Sequence, residues 1–226
     1  MKEFRSAGSR VLLALLVLAA CRGSQPEVRP GPAPSAVHPD SAAIARAQAD
    51  SARLPYTEAD VHFMSAMISH HAQAIHMAEM APTHAASADV QRLAERIINA
   101  QQDEIATMQR WLRERRQPVP EPSILGHRMT MNGQEHVMLM PGMLTAEQLK
   151  VLDQARGADF DWLFITSMIQ HHRGAVEMVK QLFGTWGAGQ DETVFKFASD
   201  VNVDQTTEIN RMIKLLASLP GQGRSP

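Results

Sequence analysis

The stretch MISHHAQAIHM, residues 67–77, returns later in the chain as MIQHHRGAVEM, residues 168–178. Its apolar positions, with Met64, Met67, Ile68, Ile75 and Ala78, recur at intervals of three and four, which is the period of a helix and not of a strand. At about 100° per residue His71 falls in the middle of that stripe and His70 at its edge; His172 and His171 repeat the arrangement. Neighbouring histidines cannot address one point, so each pair serves the interior and its margin. Ala74 and Ala175 then separate each edge histidine from Met77 or Met178.

The match extends back to Asp60 with Asp161 and Phe63 with Phe164. It resumes downstream, where IINAQQDEIATMQRWL (97–112) aligns with VNVDQTTEINRMIKLL (201–216) and shares Q-x-x-E-I-x-x-M from Gln101 and Gln205. Breaks fall at PTHAAS near Pro82 and at GTWGAGQ near Gly184. Two repeated helical hairpins predict an all-α fold, a four-helix bundle with approximate two-fold symmetry. The partner helices carry the stripes Val90, Ile97, Gln101, Glu104, Met108, Trp111 and Val194, Val201, Gln205, Glu208, Met212, Leu215. Folding the first hairpin near residue 84 sets Glu104 roughly opposite Ser65. Because helical side chains lean towards their N-termini, His71 and Glu104 then lean towards each other. Imidazole, amide and carboxylate in a Met-lined interior are costly unless they hydrogen-bond or bind an ion.

Between the hairpins lies LGHRMTMNGQEHVMLMPGM, residues 125–143. It holds two H-x-M-x-M runs, His127-Met129-Met131 and His136-Met138-Met140, around Asn132-Gly133, a pair that favours a tight β-hairpin turn. That register sets Met129 across from His136 and His127 across from Met138, with all six side chains on one face. Thioether and imidazole suit Cu(I), whereas hard cations want carboxylate-rich sites. Beyond it Thr145 is the expected cap of a short helix reaching Gly157, and Asp159 or Asp161 is the expected opening of the second His-His helix.

The bulk properties agree with this partition. A chain of 226 residues with 44% hydrophobic content suits one compact domain with appendages. A net charge of −2 leaves no basic footprint for nucleic acid. Fourteen Met and ten His stand against 5% aromatic residues, so the distinctive chemistry is soft sulfur and imidazole. Lys2, Arg5 and Arg10 precede an apolar run from Val11 to Ala20, too short to span a bilayer but of signal-peptide length. It ends in Leu18-Ala19-Ala20-Cys21, which resembles a bacterial lipobox and implies a lipidated Cys21, leaving no thiol for a disulfide. The expected organisation is a signal peptide over 1–21, a Pro/Ala-rich tether over 22–55 and a bundle over 56–219. Within the bundle, hairpins 56–116 and 144–219 are joined by the Met/His-rich linker 117–143.

Taken singly, a buried histidine is more often a core residue bonded to Glu than a ligand, and Met67, Met168, Met108 and Met212 read as core packing. Duplication of the histidine pair is what favours ligation. Asp60 and Asp161 read as helix caps or dipole partners. His62, His76 and His84 lack repeat partners and read as surface residues.

The motifs MI-x-HH-x-x-A[IV]-x-M, Q-x-x-E-I-x-x-M and FD-x-x-F[IL]-x-x-MI-x-HH-x-GA[IV]-x-M resemble those of the bacterial family called domain of unknown function 305. Here they occupy Met67 to Met77, Gln101 to Met108 and Phe160 to Met178, with the family-like Met140-Pro141-Gly142-Met143 between them. The resemblance implies a ferritin-like bundle, usually exported, with some members associated with copper binding and resistance. The halves differ at Asn202 against Ile98 and Glu177 against His76, so a two-fold pair of sites is expected to be unequal.

Together these readings predict an envelope lipoprotein, facing the periplasm or exterior, that sequesters or transfers copper, with another transition metal as the alternative cargo. Its partners are the ion, the membrane through the lipid alone, and an unidentified protein acceptor. His70, His71, His171 and His172 are the expected principal ligands, with Met67, Met77, Met168 and Met178 as soft auxiliaries. Gln101, Glu104, Gln205 and Glu208 orient them. His127, Met129, Met131, His136, Met138 and Met140 offer a second site. A structural or interaction bundle with buried His–Glu bonds is the competing class. A di-metal redox enzyme is weaker, because that chemistry uses inward Glu-x-x-His pairs and none sits at an interior position here.

Overall fold

The computed structural model describes residues 55–131 and 133–219, with Ser41 and Ala43 besides. Residues 1–40, including Cys21 and the apolar run before it, and most of the tether lie outside the described residues. The fold is mostly helical. Among the described residues from 55 to 219 there are four long helices, α1 (Glu58–Glu79), α3 (Ala88–Glu114), α5 (Gly157–Gly184) and α6 (Glu192–Ser218), and two short ones, α2 (Ala81–His84) and α4 (Ala146–Gln154). α1 packs on α3, α5 on α6, and α1 meets α5 at the seam between the halves.

Local chemistry fixes the ends. Thr57 opens α1 with a reciprocal capping box to Asp60, and Thr145 opens α4 the same way with Gln148, so each satisfies N–H groups that the first turn leaves free. Asp191 caps α6 through the amides of Thr193 and Val194, and also accepts from Trp111 Nε1 (3.0 Å) and from the Arg115 guanidinium. Burial raises the pKa of Asp191, yet these donors outweigh burial and hold it below the ordinary carboxylate value.

The expectation that Asp159 or Asp161 opens α5 is corrected. The helix starts at Gly157, where φ is +63°, with Arg156 before it and no side-chain cap. Asp161 instead leans out of the first turn and accepts from the backbone N–H of Ser87 (2.9 Å) in the break of the other hairpin. Asp60 does the mirror-related thing, accepting from the N–H of Gly189 (2.7 Å) in the second break. Each repeat thus pins the interhelical loop of its partner with a buried carboxylate.

Two apolar clusters fill the interior. One gathers Phe63, Met67, Met108, Trp111, Met178 and Val194, among others; the second includes Met77, Leu93, Ile97, Phe164, Met168 and Met212. Both histidine pairs fall between them in sequence and in space, forming a polar layer across the middle.

The linker forms the antiparallel strands β1 (His127–Met131) and β2 (Gln134–Met138), in the register His127↔Met138 and Met129↔His136. β1 rests on α1. The expectation that Met140 shares the hairpin face is corrected: it lies past the end of β2 and is buried in the first cluster with Met143. An apolar side chain next to the packed helices gains more from burial there than from an exposed rung.

Candidate metal centre

All four paired histidines are buried, none more than 1% exposed. Helical lean brings His71 Nε2 to Glu104 Oε2 at 2.6 Å and His172 Nε2 to Glu208 Oε2 at 2.8 Å, one such pair in each half. His70 and His171 meet across the α1–α5 seam with ring centroids 3.8 Å apart. His70 Nε2 lies 3.0 Å from the carbonyl oxygen of Pro141.

These contacts fix the tautomers. A carbonyl only accepts, so His70 carries its proton on Nε2 and presents a bare Nδ1. The carboxylates of Glu104 and Glu208 likewise draw the Nε2 protons of His71 and His172, leaving Nδ1 as the ring nitrogen without a partner. Those three Nδ1 atoms, both nitrogens of His171, both amide atoms of Gln101 and Oε1 of Gln205 are buried without a hydrogen-bond partner. A buried polar group left without a partner costs about 1–3 kcal/mol. A packing role alone would favour apolar residues here. An imidazole whose N–H is held by a carboxylate or carbonyl and whose other nitrogen is bare is the arrangement of a metal-ligating histidine.

The electrostatics keep lone pairs available. Burial lowers the pKa of His70 to about 3, with the neighbouring charge of His71 adding to the effect and the Pro141 bond opposing it. Burial, followed by the proximity of His70, His172 and His71, holds His171 well below the ordinary imidazole value. Asp204 on α6 is raised by burial and then by Glu104, Asp200 and Glu208, so several carboxylates converge where the two His–Glu pairs approach. That concentration of negative charge favours cations.

Among the described residues, no group of three or more His, Cys, Asp or Glu is placed to hold a metal ion as the side chains stand. The four soft auxiliaries border the layer from both sides, Met67 and Met178 in one cluster, Met77 and Met168 in the other. In the hairpin His127 is buried, Met129 half-buried, and His136 and Met138 exposed.

Three features escaped the sequence reading. Gln73 is buried and clamps the linker, donating to Ile124 O (2.6 Å) and Leu144 O (2.9 Å) and accepting from Leu144 N–H (2.6 Å). Its repeat partner Gly174 is where the same linker crosses α5: a Cβ there would lie 1.8 Å from Pro141 O. The signal was Gln73 standing against Gly174 within the repeated motif. His84, expected at the surface, has a side chain only 10% exposed; it hydrogen-bonds Asp153 O (3.0 Å), as α4 packs over it. Third, His62, although exposed, meets His127 ring to ring.

The family profile described as Domain of unknown function (DUF305) matches residues 60–216. The chain belongs to this family. A Streptomyces coelicolor family structure, described as a secreted protein, is 30% identical, with 70% of this chain and 92% of that one covered and a TM-score of 0.59. A fragment from Deinococcus radiodurans is 27% identical over 73% of this chain and 99% of its own, with a TM-score of 0.61. CopM in its Cu(I)-bound form is 30% identical over 72% of this chain and 98% of its own, with a TM-score of 0.54. No curated protein matches the sequence.

Proposed function

We propose that this family member is a copper-binding envelope lipoprotein, anchored through Cys21 and facing the periplasm or exterior. Its helices form a ferritin-like bundle on the tether 22–55, and it sequesters copper or passes it to a protein acceptor. The observation that carries the reading is the central layer of four buried imidazoles whose Nδ1 atoms have no partner while three Nε2 atoms are held by Glu104, Glu208 and Pro141. Neutral imidazole flanked by thioether suits Cu(I). CopM has structures with Cu(I), with Cu(II) and with silver, which supports a copper-like soft metal as the cargo. The described secreted relative supports an extracytoplasmic location, and among the described residues no helix is long and apolar enough to cross a membrane.

In this account His70, His71, His171 and His172 bind the ion, Met67, Met77, Met168 and Met178 supply sulfur, and Glu104 and Glu208 position the rings, whereas Gln101 makes no hydrogen bond to them. Two rings 3.8 Å apart leave no space for an ion between them, so loading turns them within the layer. The hairpin, with His127, Met129, Met131, His136 and Met138, supplies a second binding region; Met140 is buried in the core.

An anaerobic Cu(I) competition titration of the Cys21→Ser chain tests this. Binding that is lost when the four paired histidines become Gln, in a variant that remains helical by circular dichroism, supports the interior site. Absence of binding by the unaltered domain overturns the copper reading and leaves the layer as a packing device.

A further inference from the structure

We propose that His62, His127 and Met138 form a surface site for a soft monovalent cation, Cu(I) or Ag(I), distinct from the interior layer. The proposal deepens the copper reading and rests on it for the identity of the natural ion. Its elements are brought together from two places: His62 is on the exposed side of α1, whereas His127 and Met138 are paired at the open end of the β-hairpin.

The rings of His62 and His127 stand 5.6 Å apart between centroids at 73°. A ring nitrogen lies about 1.1 Å from its ring centre and a metal–nitrogen bond spans about 2.0 Å, so two imidazoles on one ion have centroids roughly 5–6 Å apart. The pair therefore already has the spacing of shared ligands. His127 is 6% exposed and its Nδ1 is buried with no hydrogen-bond partner.

The third donor comes from strand pairing. Met138 faces His127 directly, and such cross-strand side chains have Cβ atoms about 4.5–5.5 Å apart on one face. Gly126 holds that end of the hairpin together: its φ is +127° and a Cβ would come within 2.6 Å of the Met138 carbonyl oxygen. Met138 is 44% exposed, so its thioether is open to an arriving ion. Imidazole nitrogen and thioether sulfur favour a soft d¹⁰ cation far more than a hard divalent one. Beyond β2 the chain runs through Met140 to Pro141, whose carbonyl holds His70, so the surface site adjoins the segment that fixes the interior layer.

The test adds Ag(I), a diamagnetic probe, to the full chain carrying Cys21→Ser, and follows histidine ring and methionine methyl signals by NMR. The proposal expects His62, His127 and Met138 to move together and saturate at one equivalent. His62→Ala, which removes an exposed ring, and Met138→Leu should each weaken that step at least about tenfold. A His62→Ala chain that still shifts Met138 at the same concentration overturns it. Surface signals that stay still while His70 and His171 respond sink the surface site alone. Surface movement without any interior response sinks the interior reading alone, and silence from both sinks both.

Discussion

At the residue scale, the chemistry rests on which nitrogen of each histidine carries the proton. Glu104 and Glu208 hold Nε2–H and are themselves partly exposed, so their replacement should loosen the rings without collapsing the core. Glu104→Gln or Glu208→Gln is expected to weaken Cu(I) binding about 10–100-fold, as read by competition titration, with little change in the urea midpoint. Proton linkage gives a second prediction. The pKa of His70 is lowered to about 3 and His171 is also well below the ordinary value, whereas in the unfolded chain both titrate near 6.5. As pH falls below about 6.5 the unfolded chain takes up protons that the folded one refuses, so stability is complete above that pH and declines towards pH 3. The slope reaches about 1.4 kcal/mol per pH unit for each ring. Urea unfolding between about pH 7 and pH 4 should show it. His70→Gln should remove about half of the slope, and an unchanged slope would contradict the buried neutral ring.

At the element scale, the repeat explains both what was legible and what was not. The helical period of Met64, Met67 and Ile68 pointed to helices, and the N-terminal lean of side chains was enough to pair His71 with Glu104 before any coordinates. Asp161 was misplaced because sequence shows a carboxylate near a helix start but not that another hairpin's break, with Ala85 bridged to Gly157, packs against it. Asp60 joins a capping box and a buried bond to Gly189; Asp60→Ala should cost about 2 kcal/mol, measurable by urea unfolding. Gly174 is the sharper case. Gly174→Ala would drive a Cβ into Pro141 O and Gly142 Cα, so the linker must lift away from α5. We expect a loss of about 1–3 kcal/mol together with release of the His70 Nε2 proton, seen as faster solvent exchange. A loss of stability with that proton still protected would show that the crossing does not position His70.

At the scale of the whole molecule, two apolar clusters enclose a polar layer, and the two-fold repeat supplies that layer from both halves. The duplicated His-His pairs made the layer visible in the sequence. Its seam was not visible, because periodicity says which face a residue occupies but not which faces of α1 and α5 meet. The linker's path was hidden for the same reason: Met140 looked like part of an alternating strand, and only packing shows that it turns into the core. The central claim is that the four buried rings are poised to bind through nitrogens that have no other partner. The most direct measurement is long-range ¹H–¹⁵N NMR of the histidine-labelled chain during anaerobic Cu(I) addition. The account predicts that the Nδ1 signals of His70, His71 and His172 move with the ion while their Nε2 protons stay bound to Pro141, Glu104 and Glu208, with His171 shifting in the same step. Nε2 signals that move instead, or four rings that stay unchanged while copper binds elsewhere, would contradict it.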